Sequence, residues 1–131
     1  MSAEEKAREL MRSVIPDEDF STYEELGFIS VPGRGDPASG YAYLIYPHRP
    51  LVAYDTSTER LLTEYCVRFE DAGERLPDAD DVLAKWITVS GGERDLIATA
   101  NADRPGHQID PAHLRRDLER LAQWRAATID A

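Results

Sequence analysis

Between Tyr41 and Phe69 three runs of aromatic, aliphatic and β-branched residues follow one another: Tyr41–Tyr46, Leu51–Asp55 and Leu61–Phe69. Only Pro47-His-Arg-Pro50 and Thr56-Ser-Thr-Glu59 are available to connect them. Connections this short cannot carry a crossover helix, so the three runs must pair as an antiparallel meander. Within the first run Tyr41 and Tyr43 share one face, and Leu44 and Tyr46 take the other. Strict alternation along the third run puts Leu61, Thr63, Tyr65, Val67 and Phe69 on a core face, and Leu62, Glu64, Cys66 and Arg68 on a half-wet one. Phe28–Val31 reads as a further short strand, giving a sheet of about three to four strands. It is separated from Tyr41 by Pro32-Gly-Arg-Gly-Asp-Pro-Ala-Ser-Gly40, which only a loop accommodates.

A sheet this small needs covering, and the rest of the chain supplies helices. Ala3, Ala7, Leu10, Met11 and Val14 form one stripe of a helix that Ser2 caps and Pro16 stops. Residues 17–26 are ambiguous: Ser21 and Glu24 form a possible capping box for a short turn that Gly27 ends. Pro77-Asp78 opens a helix with Asp78 as its N-cap, running to about Val89 with Val82, Leu83, Trp86, Ile87 and Val89 as its apolar face. Ser90-Gly91-Gly92 breaks it, and a second short helix follows from Glu93 to Ala100, burying Leu96 and Ile97 and closing at Asn101. The last helix starts at Pro111, capped by Asp110, and runs to about Thr128. Leu114, Leu118, Leu121 and Ala122 form its seam, while Arg115, Arg116, Asp117, Glu119 and Arg120 face water. The fold class is α+β: a small antiparallel meander sheet packed against N- and C-terminal helices, one domain spanning residues 1–131.

Composition narrows the chemistry. The chain of 131 residues carries a formal net charge of −10, which repels nucleic acid and anionic membranes at long range and favours basic partners. Its arginines outnumber its lysines (Lys6 and Lys85) thirteen to two, the mark of a GC-rich, bacterial coding sequence. The single cysteine, Cys66, allows no internal disulfide and no cysteine zinc cage. The charged N-terminal segment has no signal-peptide character and no run is apolar enough to span a membrane, so a cytoplasmic location is expected.

The candidate chemical groups are few. Cys66 lies mid-strand with no activating neighbour in sequence and reads as structural. His48, His107 and His113 lack the spacing that places two ligands on one helix face. Asp78-Ala-Asp80-Asp81 resembles the start of a calcium loop but lacks its glycine and its closing glutamate, so helix capping accounts for it and no metal or cofactor is implied. Tyr41, Tyr43 and Tyr54 are the candidate binding residues, since tyrosines on a sheet face give contact area at low entropic cost. The competing reading packs the same rings against the helices. The seam of the last helix is a candidate homodimer interface.

Val31-Pro-Gly-Arg-Gly35, Tyr43-Leu-Ile45, Tyr65-Cys66, Pro77-Asp-Ala-Asp-Asp-Val-Leu-Ala-Lys85 and Ala100-Asn101 together resemble a group of small uncharacterised phage and bacterial proteins. Tyr65 stands where that pattern has Leu, Lys85 falls one position early, and the loop spacing differs. The resemblance implies an order of elements and no assigned activity. Two function classes emerge. The first is a non-catalytic interaction or regulatory protein whose acidic surface or sheet face binds another protein. The second is a small enzyme whose site is assembled in three dimensions around Cys66 or a histidine.

Overall fold

The computed structural model describes residues 2–67, 70–71, 74–99 and 109–129. Helix α1 (Ala3–Val14) is capped as its sequence requires, with Ser2 Oγ accepting from the Glu5 N–H at 3.1 Å. It turns at buried Ile15 into α2 (Asp17–Leu26), whose first turn sets Asp17, Glu18 and Asp19 against the positive end of the helix dipole. Ser21 therefore lies inside a helix that starts five residues earlier than a capping box there would place it. Gly27, at φ 85°, closes α2 in the left-handed conformation that glycine adopts without strain.

The sheet is a four-stranded antiparallel meander in sequential order, β1 (Ile29–Pro32), β2 (Tyr41–Ile45), β3 (Leu51–Asp55) and β4 (Leu61–Tyr65). Pro32 sits at the end of an edge strand, where its missing N–H costs least. A two-stranded ribbon, β5 (Glu70–Asp71) with β6 (Glu74–Arg75), leads into α3 (Asp78–Thr99), and α4 (Pro111–Ile129) ends the described chain.

Both faces of the sheet are covered, which is why β2 and β3 read as nearly unbroken apolar runs rather than as alternation. On one face Ile29, Val31, Tyr43, Ile45, Leu51 and Ala53 pack with Met11 of α1, Phe20 and Tyr23 of α2, and Val82, Leu83 and Val89 of α3. On the other, Phe28, Leu44, Tyr46, Val52 and Tyr54 pack with Ile109 and with Leu114, Leu118 and Leu121 of α4.

Two expectations change. Along β4, Ala53 pairs with Thr63 but Tyr54 pairs with Leu61, so Leu62 is an extra residue, a β-bulge. The bulge moves Leu61 onto the α4 face while Tyr65 stays on the other, which strict alternation along one strand does not allow. The expected break at Ser90-Gly91-Gly92 holds: Gly92 (φ −160°, ψ 46°) leaves helical geometry, so the span of α3 is two helical segments joined across a kink; the expected close at Ala100 and Asn101 lies outside the described residues. The second change is that several stripe residues remain outside the core: Leu10, Val14, Ile87 and Ile97 are exposed, because the sheet is too narrow to cover the full width of each helix.

Candidate functional site

Asp81 and Lys85 lie one turn apart on α3 and are both buried, at 3% and 1% exposure. Lys85 Nζ donates to Asp81 Oδ2 at 2.6 Å and to the carbonyls of Tyr46 and Arg49 at 3.0 and 2.8 Å. The same carboxylate oxygen accepts the His48 backbone N–H at 2.7 Å. The pair thus grips both ends of the β2–β3 turn, holding His48 at φ 61°. Burial pushes the Lys85 ammonium down from its ordinary range, and Asp81 opposes the shift. On the outer side His48 Nε2 meets Asp78 Oδ1 at 2.9 Å. Asp78 is therefore the first residue of α3 and bonds a side chain of the hairpin. The α3 N-terminus receives its cap from another helix, with Glu4 Oε1 accepting the Ala79 N–H at 3.1 Å.

A second buried carboxylate lies across the turn. Asp117 of α4 is 2% exposed, where a water-facing position was expected. It accepts from the Tyr46 hydroxyl at 2.7 Å, meets His113 Nε2 at 3.0 Å and accepts from Arg120 Nη1 at 3.1 Å. Arg116 Nη2 donates to His113 Nδ1 at 2.7 Å, so the ring proton lies on Nε2 and both ring nitrogens are engaged. Burial and the neighbouring Asp117 both raise the Tyr46 phenol above its ordinary range. Helical spacing could have revealed Asp117: it is three residues past Leu114 and four before Leu121, within the seam.

These two clusters wall one open cleft of about 410 Å³. Arg49, Arg75, Arg116 and Arg120 line it together with His48 and His113, against the carboxylates of Asp78 and Asp117. Arg49 lies over the Tyr46 ring and Arg120 over the Phe28 ring, each 5.9 Å from the centroid, and the two rings pack on each other at 5.3 Å. In a chain with a net charge of −10, one concave place carries a local excess of guanidinium.

The tyrosines lie elsewhere. Tyr41 and Tyr43 both donate to Glu93 Oε1 at 2.6 Å, while Glu93 Oε2 accepts the Arg34 N–H at 2.7 Å. This fastens the Pro32–Gly35 loop and β2 to α3 beside its kink. Tyr43 is 1% exposed and Tyr54 5%, the latter on the opposite face with its hydroxyl on Ser30 Oγ at 2.8 Å, so of the three only Tyr41 reaches solvent. Cys66 sits half-buried just past β4. His107 lies outside the described residues. Leu114, Leu118 and Leu121 are buried on the chain's own sheet, and Trp124 Nε1 donates to Thr22 Oγ1 of α2 at 3.3 Å. Among the described residues no cluster of three or more His, Cys, Asp or Glu side chains is placed to hold a metal, and no helix is long and apolar enough to cross a membrane.

No protein-family model, curated protein or solved structure matches this chain.

Proposed function

We propose that this chain is a non-catalytic binding protein, of interaction or regulatory type, that receives an anionic group of a protein partner in the arginine cleft between the β2–β3 turn and α4. The observation that carries the reading is the convergence of four arginines on one concavity of a strongly acidic molecule. The overall charge repels polyanions at a distance, which disfavours nucleic acid and anionic membranes, while the cleft attracts a single anionic group at short range. An acidic surface around a basic cleft selects partners with the reverse pattern.

The enzyme reading has one observation in its favour, the contact between His113 and buried Asp117. A general base needs a free ring nitrogen facing its substrate. Here Nδ1 is taken by Arg116 and Nε2 by Asp117, an arrangement that orients guanidinium groups. The α4 seam is spent on the chain's own sheet, so a homodimer would have to use another surface.

Affinity capture from the source organism, run in parallel with the wild-type chain and an Arg49→Glu/Arg116→Glu variant of unchanged circular dichroism, tests the proposal. Proteins retained by the wild type and lost by the variant are expected. An identical set on both would exclude the cleft as the docking site.

A further inference from the structure

We infer that the cleft is built for the doubly charged phosphate of a phosphomonoester, presented by a phosphorylated side chain of the partner. This ligand class rests on the cleft being the anion-binding site proposed above.

Charge is the first argument. The lining holds four guanidiniums and two carboxylates, a local excess of two positive charges. Both carboxylates are already engaged, Asp117 by Tyr46, His113 and Arg120, and Asp78 by His48. A carboxylate ligand would offset one of the two charges. A phosphomonoester carries about −1.5 to −2 at neutral pH and offers three terminal oxygens, which matches both the charge and the number of donors.

Donor placement is the second. Each guanidinium has five N–H donors, and the contacts within the protein use only some of them. Arg120 gives Nη1 to Asp117 and Nη2 to the Leu26 carbonyl at 3.4 Å; Arg116 gives Nη2 to His113. Arg49 and Arg120 are held over two rings that touch each other, one projecting from the hairpin and one from α4. Holding two cations over adjacent rings costs repulsion that a bridging dianion offsets. Because the guanidiniums of Arg49, Arg116 and Arg120 are already supported by rings or hydrogen bonds, little of their side-chain freedom is lost on binding. At about 410 Å³ the cleft is larger than a phosphate ion and open to solvent, leaving room for the chain that carries the phosphate.

The test is a backbone-amide NMR titration of the full chain at about 150 mM salt, where long-range effects are screened. The probes are phenyl phosphate, phenyl sulfate, benzoate, inorganic phosphate and a phosphoserine peptide with neutral flanking residues. Phenyl phosphate and the phosphopeptide are expected to bind about tenfold tighter than phenyl sulfate or benzoate, with shifts centred on residues 46–49 and 113–120. Arg49→Gln should weaken them by about tenfold with unchanged circular dichroism. Arg125→Gln, in the separate groove between α2 and α4, should not. Equal binding of sulfate or benzoate in the cleft would overturn the phosphate inference and leave the anion-binding reading standing. Inorganic phosphate binding as tightly as the peptide would overturn the phosphorylated side chain as its source. No cleft shifts with any probe would overturn both readings.

Discussion

The Tyr46 hydroxyl donates to Asp117 Oδ2 at 2.7 Å, joining the end of β2 to the first turns of α4 inside the second core. Asp117 has no water to fall back on, so its three donors come from the protein alone. Tyr46→Phe removes one of them and should cost about 1.5–3 kcal/mol, the usual worth of a hydrogen bond to a buried charge. Asp117→Ala should cost more, because it orphans the buried Tyr46 hydroxyl and releases Arg120 and His113 together. Urea denaturation of the two variants checks both the size and the order; a Tyr46→Phe midpoint equal to wild type would refute this assignment.

Lys85 and Asp81 make a buried pair whose removal should be strongly non-additive. Lys85→Met leaves Asp81 buried with the His48 N–H and strips a donor from two carbonyls, an expected loss of about 3–5 kcal/mol. Adding Asp81→Leu should recover part of that loss, since the uncompensated charge goes with it. A double-mutant cycle measures the coupling. Simple additivity of the two losses would mean that the pair contributes through packing alone.

The meander, the terminal helices and the caps at Ser2 and Asp110 could be read from local signals, because turn residues, apolar periodicity and capping act over a few residues. The polar clusters could not, because each joins residues far apart in the chain: Glu93 with Tyr41 and Arg34, Asp117 with Tyr46, Glu4 with Ala79. Asp78 shows the difference. As a capping residue after a proline it fits the local pattern, yet Glu4 from α1 takes the cap and Asp78 turns to His48. The bulge at Leu62 was equally hidden, since an extra residue becomes visible only against a partner strand. The arginine cleft draws on the hairpin, β6 and α4, and no window of sequence contains it.

Glu4 and Asp78 accordingly make a paired prediction. Glu4→Ala should cost about 0.5–2 kcal/mol by uncapping α3, and the loss should persist in an Asp78→Ala background. Thermal denaturation of the two single variants and the double variant decides it. If Asp78→Ala alone carried the capping loss and Glu4→Ala none, the cap would be local after all.

Gly33 is tied to Tyr41. A Cβ at this position would run into the Tyr41 ring, and that ring cannot swing away without giving up its bond to Glu93. Gly33→Ala should therefore cost about 1–3 kcal/mol, the range for forcing atoms into a packed site. In a Tyr41→Ala background the same change should become nearly neutral, because the obstructing ring is gone. A cost that survives Tyr41→Ala would place the constraint in the backbone instead.

Glu93 gives the molecule an acid-sensitive fastening. Burial alone would raise its carboxyl, but the hydroxyls of Tyr41 and Tyr43 and the Arg34 N–H, aided by the Arg34 charge, outweigh that and hold it below its ordinary value of 4.5. The unfolded chain therefore takes up this proton at a higher pH than the folded one. The stabilisation is complete above pH 4.5 and is lost as the pH falls through the lower folded value. Asp55, held at about 2 by the Ser57 hydroxyl and the backbone N–H groups of Thr58 and Ser57, loses its own contribution as the pH falls through about 2. Glu93→Gln retains an acceptor without the titration, so it should be less stable than wild type at neutral pH and should approach it in acid. Chemical denaturation between about pH 7 and pH 3 measures this convergence. Curves that stay parallel over that range would show that Glu93 acts through shape and not through its charge.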